Sequence, residues 1–322
     1  ARSYEWPSAE TLRESAESRE TPSKMRLRNL AIRIYILRHS VLWCTTEAHH
    51  FRLAPAQRAA QWGATGVCAL RGAGLRDLPA EAGPPVAGRL RALDAGENRL
   101  AELPEWAGGG LPRPQKLALD RNHLAALPRE LQWGALRVLL LAHNALGALD
   151  LAPSAWAAFA NLEKLDVSHN ALISLPPEVG ALPALRELRA SHNRLRALPE
   201  ALGGAPALRE LDVRQNELEE LPDRSFGGVG AGGGQRAPPL RVLLADGNRL
   251  RGLPGGFFLR FVDLHQVSLH GNPVAAADVE TAEGFAAYEA RRRGKVDKGL
   301  AGGVLLRPGG FDEGLDRQLL RT

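Results

Sequence analysis

Three histidines, His143, His169 and His192, each stand one residue before an asparagine, 26 and 23 residues apart. Imidazole is the commonest metal ligand and titrates nearest neutral pH. Stacked on successive turns of a chain, the three rings would lie about 5 Å apart, close to the spacing of neighbouring strands. One ion cannot hold all three at that spacing, and no carboxylate or thiol is aligned with them. The expectation is a solvent-facing turn position and no metal. Residues 227–239 (GGVGAGGGQRAPP) are rich in glycine, but lack the Gly-Lys-Ser/Thr that would close a phosphate loop, and read as a surface loop. Cys44 and Cys68 form neither a zinc spacing nor a disulfide framework. Cys68 falls at an inward position, where packing is the expectation rather than reactivity. Arg291, Arg292, Arg293, Lys295 and Lys298 follow a helical pattern; they complement a helix C-terminus, with a membrane-surface patch as the alternative. No nucleophile elbow or paired-carboxylate site is present. The chain therefore reads as non-enzymatic, with no cofactor.

What must position these residues is a repeat. Residues 162–176 (LEKLDVSHNALISLP) follow the pattern LxxLxLxxNxLxxLP. Seven further copies place asparagines at Asn98, Asn122, Asn144, Asn193, Asn216, Asn248 and Asn272, around Asn170 of the first. The spacings are 24, 22, 26, 23, 23, 32 and 24 residues. A fixed period of this size marks stacked supersecondary units. In LxL, alternate side chains point to opposite faces of a short strand, so the leucines go inward and the variable residues outward. One unit cannot bury its apolar edge alone, but a stack can. Each buried leucine then contributes about 1.5–3 kcal/mol. The asparagine amide both donates and accepts, so a ladder of them can satisfy backbone groups where the chain turns inward.

The pattern resembles the leucine-rich-repeat family in its typical intracellular form. The resemblance runs from about residue 65 to 274. It implies an α/β solenoid: a horseshoe with a concave parallel β-sheet and an irregular or short-helical convex side. Residues 55–65 read as a helical N-terminal cap, and 67–79 as a degenerate repeat with Ala73 in the asparagine slot. This opening is similar to that of the small members grouped with leucine-rich-repeat-containing protein fifty-seven.

The resulting organisation has an N-terminal extension at 1–54 and a cap with degenerate repeat at 55–89. Eight repeats follow at 90–276, interrupted by the 227–239 insertion. A C-terminal capping helix at 277–298 and a flexible tail at 299–322 complete it. The extension has no glycine, whereas all 34 lie from Gly63 onward. It reads either as a disordered tail or as an artefact of the gene model, with translation starting at or after Met25. Arginines interleaved with apolar residues over 25–46 also resemble a transit segment. In the long return after Asn144, Trp156 and Phe159 predict a convex-side helix. Asp278 is the candidate N-cap of the terminal helix, and Phe285 and Tyr288 the candidates to cover the open end of the stack.

The chain carries 41 basic and 36 acidic residues, a net charge of +5, too mild an excess to indicate nucleic acid. No apolar run approaches the length needed to span a bilayer. Without cysteine clusters at its ends, the chain reads as cytoplasmic; an axonemal or cytoskeletal setting is the alternative, with organelle import a further one.

The outward strand positions define the candidate binding residues. They are Lys116, Val138, Leu140, Lys164, Asp166, Glu187, Arg189, Glu210, Asp212, Arg214, Val242 and Leu244. Eight strands about 4.8 Å apart span roughly 35 Å, the width of a protein partner rather than a metabolite. Outward positions are expected to face water, so Val138, Leu140, Val242 and Leu244 stand out as interface anchors. The charged residues between them suit steering and specificity. The resemblance implies a monomeric scaffold or regulator in signalling, as in the Ras-group members that contact small GTPases or phosphatase subunits. A ciliary or cytoskeletal component and the recognition part of a ubiquitin-ligase assembly are the alternatives.

Overall fold

The computed structural model describes residues 54–83, 86–109, 114–222 and 238–301. The expectations for 1–53, for 227–237 and for 302–322 lie outside the described residues. Among the described residues, nine three-residue strands follow one another. They are β1 (Val67–Ala69), β2 (Ala92–Asp94), β3 (Lys116–Ala118), β4 (Val138–Leu140), β5 (Lys164–Asp166), β6 (Glu187–Arg189), β7 (Glu210–Asp212), β8 (Val242–Leu244) and β9 (Gln266–Ser268). They form one parallel sheet in sequence order. Each strand pairs with the next in the same register, so equivalent residues stand in columns: Leu139 opposite Leu165, Leu165 opposite Leu188, Leu188 opposite Leu211. That register holds from β7 to β8, across the glycine-rich insertion. This is the leucine-rich-repeat solenoid.

The central leucine of each strand, from Leu93 to Leu243, is buried, as is the one two residues on, for example Leu141 or Val167. Behind them the returns are mostly 3-10 turns, such as Pro177–Ala181 and Glu200–Gly204, which suit the proline that opens them. They pack so tightly that a Cβ on Gly180 would lie 2.3 Å from the Ala201 carbonyl carbon. Helical returns are short: α1 (Pro55–Thr65), α2 (Glu105–Gly109), α3 (Pro153–Ala158) and α4 (Phe257–Arg260). In α3, the buried Trp156 meets Phe159 edge-on at 5.7 Å.

The asparagines form the expected ladder. Asn170 accepts from the Leu146 N–H at 3.0 Å and donates to the carbonyls of Leu141 and Val167 at 3.0 and 2.9 Å. Every asparagine from Asn98 to Asn272 accepts from the backbone N–H of the preceding turn in the same way. A second column was not anticipated from the sequence. The residue before the ladder asparagine adopts positive φ in every repeat: Glu97, Arg121, His143, His169, His192 and Gln215 at 53–57°, and Gly247 and Gly271 at 64° and 66°. Gly72 takes the same conformation before Ala73. A left-handed non-glycine residue costs roughly 1–2 kcal/mol. The turn is held there because its N–H bonds the next turn, His169 to the Ser191 carbonyl at 2.8 Å, and because the asparagine fixes the residue after it.

At the N-terminal end, Trp62 of α1 and Cys68 of β1 are buried in the common core. Cys68 is packed in that core, and burial, then the Glu81 charge, pushes its thiol well above its ordinary pKa. At the C-terminal end the single predicted helix is two, α5 (Ala276–Glu280) and α6 (Phe285–Ala301). Gly284, at φ 86°, breaks them where a Cβ would meet the Leu259 nitrogen at 2.9 Å. Asp278 lies within α5 and is not its cap; that position is Ala275. Tyr288 is buried against Phe258, and its hydroxyl accepts from the Val267 N–H at 3.1 Å. Arg291 donates to the Leu264 carbonyl at 2.9 Å. The last strand's free edge is thus partly satisfied by side chains of α6.

Candidate functional site: the concave face of the sheet

Two residues of each strand point away from the core, and the register sets them in two columns. The first runs Val138, Lys164, Glu187, Glu210, Val242. The second runs Leu140, Asp166, Arg189, Asp212, Leu244. With Lys116, one strand before Val138, and Arg214, two residues beyond Asp212, these make up the twelve predicted positions. Their exposure differs from expectation. Val138, Leu140, Val242 and Leu244 are half-buried, not water-exposed, and Asp212 is buried. Ala118, beside Leu140, is fully buried. On the inside of a curved sheet, neighbouring side chains crowd together and shield one another. The exposed large apolar side chains among the described residues, Ile173, Leu259 and Val262, all lie elsewhere.

Most of the charge on the strip is internally matched. Lys164 and Arg189 both reach Glu187, at 2.8 and 2.5 Å. Arg214 clasps Asp212 through two bonds of 2.8 and 2.9 Å, which holds its guanidinium above the ordinary pKa against the opposing effect of burial. Asp166 accepts from the Ser168 N–H at 3.1 Å. Toward the N-terminal end, Arg71 binds Asp94 at 3.1 Å, Glu97 at 2.9 Å and Asp120 at 2.6 Å. It crosses two turns because Gly96 leaves the room: a Cβ there would lie 2.5 Å from the guanidinium. Partial burial disfavours the Arg71 cation, but the Asp120 hydrogen bond and the two carboxylate charges outweigh it and raise its pKa. Arg71 and Glu97 were missed as members of this face. For Arg71 the signal was present, since it aligns with the outward positions Asp120 and Arg214 of later repeats; Glu97 instead falls in the column of His143, His169 and His192.

His143, His169 and His192, each just before a ladder asparagine, form a stack. Ring centroids are 4.0 and 4.1 Å apart and the planes lie within 11°. This is closer than the strand spacing, and the parallel rings aim their nitrogens side by side rather than at a common point. Burial, then the neighbouring charges of His143 and His192, lowers the pKa of His169.

The comparisons with known proteins agree with the repeat. Residues 134–195 and 160–218 match the Leucine rich repeat family. Podocan-like protein 1 of Mus musculus is 43% identical over 93 residues, which cover 28% of this chain and 16% of that protein. Plant intracellular Ras-group-related LRR protein 7 of Oryza sativa subsp. japonica is 39% identical over 75 residues, 23% of this chain and 28% of that protein. The chain thus matches less than a third of either relative's length. Among solved structures, a chain from the Toll–Spatzle complex of Drosophila is similar in fold, with a TM-score of 0.52 and 21% identity over 62% of this chain and 26% of that one. The chain has the leucine-rich-repeat fold, and residues 134–218 match that family. Such repeats serve in general as protein-interaction modules. Among the described residues, no helix is long and apolar enough to cross a membrane.

Proposed function

We propose that this protein is a non-enzymatic scaffold or regulator that binds a protein partner on the concave face of its sheet. The observation that carries this reading is the pair of apolar pads, Val138 with Leu140 and Val242 with Leu244, on a face otherwise lined by charge. These four side chains are turned away from the leucine core, so the stack does not require them to be apolar. Half-buried apolar groups gain from losing their remaining contact with water. The match to a rice protein named as intracellular and Ras-group-related supports an intracellular signalling role, with a small GTPase or a phosphatase-type regulator as the partner class.

The test is a pull-down from cell extract with the full chain, wild type against Leu140→Glu/Leu244→Glu, both checked for fold by circular dichroism and melting. Proteins captured by wild type and lost by the folded variant support the reading. Capture of the same set by both overturns it.

A further inference from the structure

The two apolar pads frame a space whose charge specifies what lies between them. β4 and β8 are four strand steps apart, which at about 4.8 Å per step separates the pads by about 19 Å. Strands β5, β6 and β7, with Arg214 two residues beyond β7, carry three cations, Lys164, Arg189 and Arg214, against four carboxylates, Asp166, Glu187, Glu210 and Asp212. All three cations are committed: Lys164 and Arg189 to Glu187, and Arg214 to Asp212. Two carboxylates are not. Asp166 accepts only a backbone N–H among the bonds described, and Glu210 is exposed without an ion pair among the described residues. Arg209 and Arg241 are exposed and stand one residue before β7 and β8, outside the strands.

We infer that the concave face takes a polypeptide segment that presents two apolar side chains about 19 Å apart and a lysine or arginine between them. This rests on the concave-face reading and adds the chemistry of the occupant. The apolar side chains seat on Val138/Leu140 and on Val242/Leu244. The cation meets Glu210, which otherwise gains no counter-charge as water is excluded. An acidic segment is rejected, because the cations that would greet it are already held by carboxylates, and the free groups would repel it. The span suits about thirteen residues of helix at 1.5 Å each, or about six of extended chain.

Random 18-residue peptides displayed on phage, selected on the full chain, supply the probe. Selected peptides are then synthesised and their binding measured by fluorescence anisotropy. The expected peptides carry a basic residue between two apolar positions. Leu140→Glu and Leu244→Glu each weaken their binding at least tenfold. Glu210→Lys weakens it about tenfold, and exchanging the peptide's basic residue for glutamate restores binding to that variant. If binding needs the leucines but is indifferent to Glu210→Lys, or needs one leucine alone, this inference is overturned while the concave-face reading stands. If no selected peptide depends on either leucine, both fall. Circular dichroism of each variant separates lost binding from lost fold.

Discussion

Asn193 is the position where the ladder can be tested bond by bond. Its Oδ1 accepts from the buried Leu172 N–H at 3.0 Å, and its Nδ2 donates to the carbonyls of Val167, Ala190 and Ser191 at 3.0, 3.1 and 3.2 Å. In Asn193→Ala those carbonyls are not orphaned. Val167 keeps Asn170, Ala190 keeps Asn216, and Ser191 keeps the His169 N–H. The Leu172 N–H has no such second partner. The expected loss is therefore that of one stranded buried donor with a small void, about 2–3 kcal/mol. At about 2–4 °C per kcal/mol this lowers Tm by roughly 5–10 °C. Asn193→Asp keeps the acceptor for Leu172 but sets a carboxylate against three carbonyl oxygens. It is therefore less stable than the alanine variant at pH 7 and recovers as acid protonates the new side chain. Urea unfolding followed by circular dichroism measures both, with exposed Arg194→Ala as the control. If Asn193→Ala costs no more than Arg194→Ala, or Asn193→Asp is the more stable of the two at pH 7, the ladder is not what holds the turns.

Three further outcomes are expected. Gly180→Ala drives a methyl group into backbone 2.3–2.6 Å away and destabilises by about 3 kcal/mol or more, whereas Gly147→Ala, with nothing within 4 Å, changes the urea midpoint little. His192→Val places a β-branched residue at φ 53° and costs roughly 1–2 kcal/mol more than His192→Gly in the same unfolding assay. Stability falls in two steps as pH drops. The lowered pKa of His169 means the folded state binds its proton less readily than the unfolded chain; stability is full above the ordinary 6.5 and declines as pH falls toward the folded value. Glu289, hydrogen-bonded by Arg292 and Arg293, is held at about 2; its contribution is present above the ordinary 4.5 and is lost as pH falls through about 2. Urea midpoints across pH follow both, and His169→Gln and Glu289→Gln each remove one step.

The solenoid was legible because its period is written in residues that the fold buries. Leu165, Val167 and Asn170 do the same work in every turn, so a one-dimensional pattern suffices to place the strands. The left-handed column was harder to read. Gly72, Gly247 and Gly271 announce it, but histidine, arginine, glutamine and glutamate at the same position conceal it, since the inter-turn bonds impose the conformation on whichever residue stands there. The break at Gly284 was missed because 278–293 has continuous helical periodicity, and a single glycine acts there through its close approach to Leu259. On the concave face, the outward direction of each side chain followed from strand alternation. Its exposure did not, because curvature decides how far neighbours such as Ala118 and Leu140 cover one another. The Arg71 network lay beyond the pattern for a similar reason: it joins residues 49 positions apart and depends on the empty space at Gly96.

Site-specific photo-crosslinking asks most directly whether the concave face meets a protein. A benzophenone amino acid is placed at Lys116 or Glu210 on that face, or at Glu178 on the return side, in the full chain, and irradiated in cell extract. The expected result is discrete crosslinked species from the two concave positions, lost with Leu140→Glu/Leu244→Glu, and none from position 178. Crosslinks confined to position 178, or equal from all three and unaffected by the leucine changes, would contradict it.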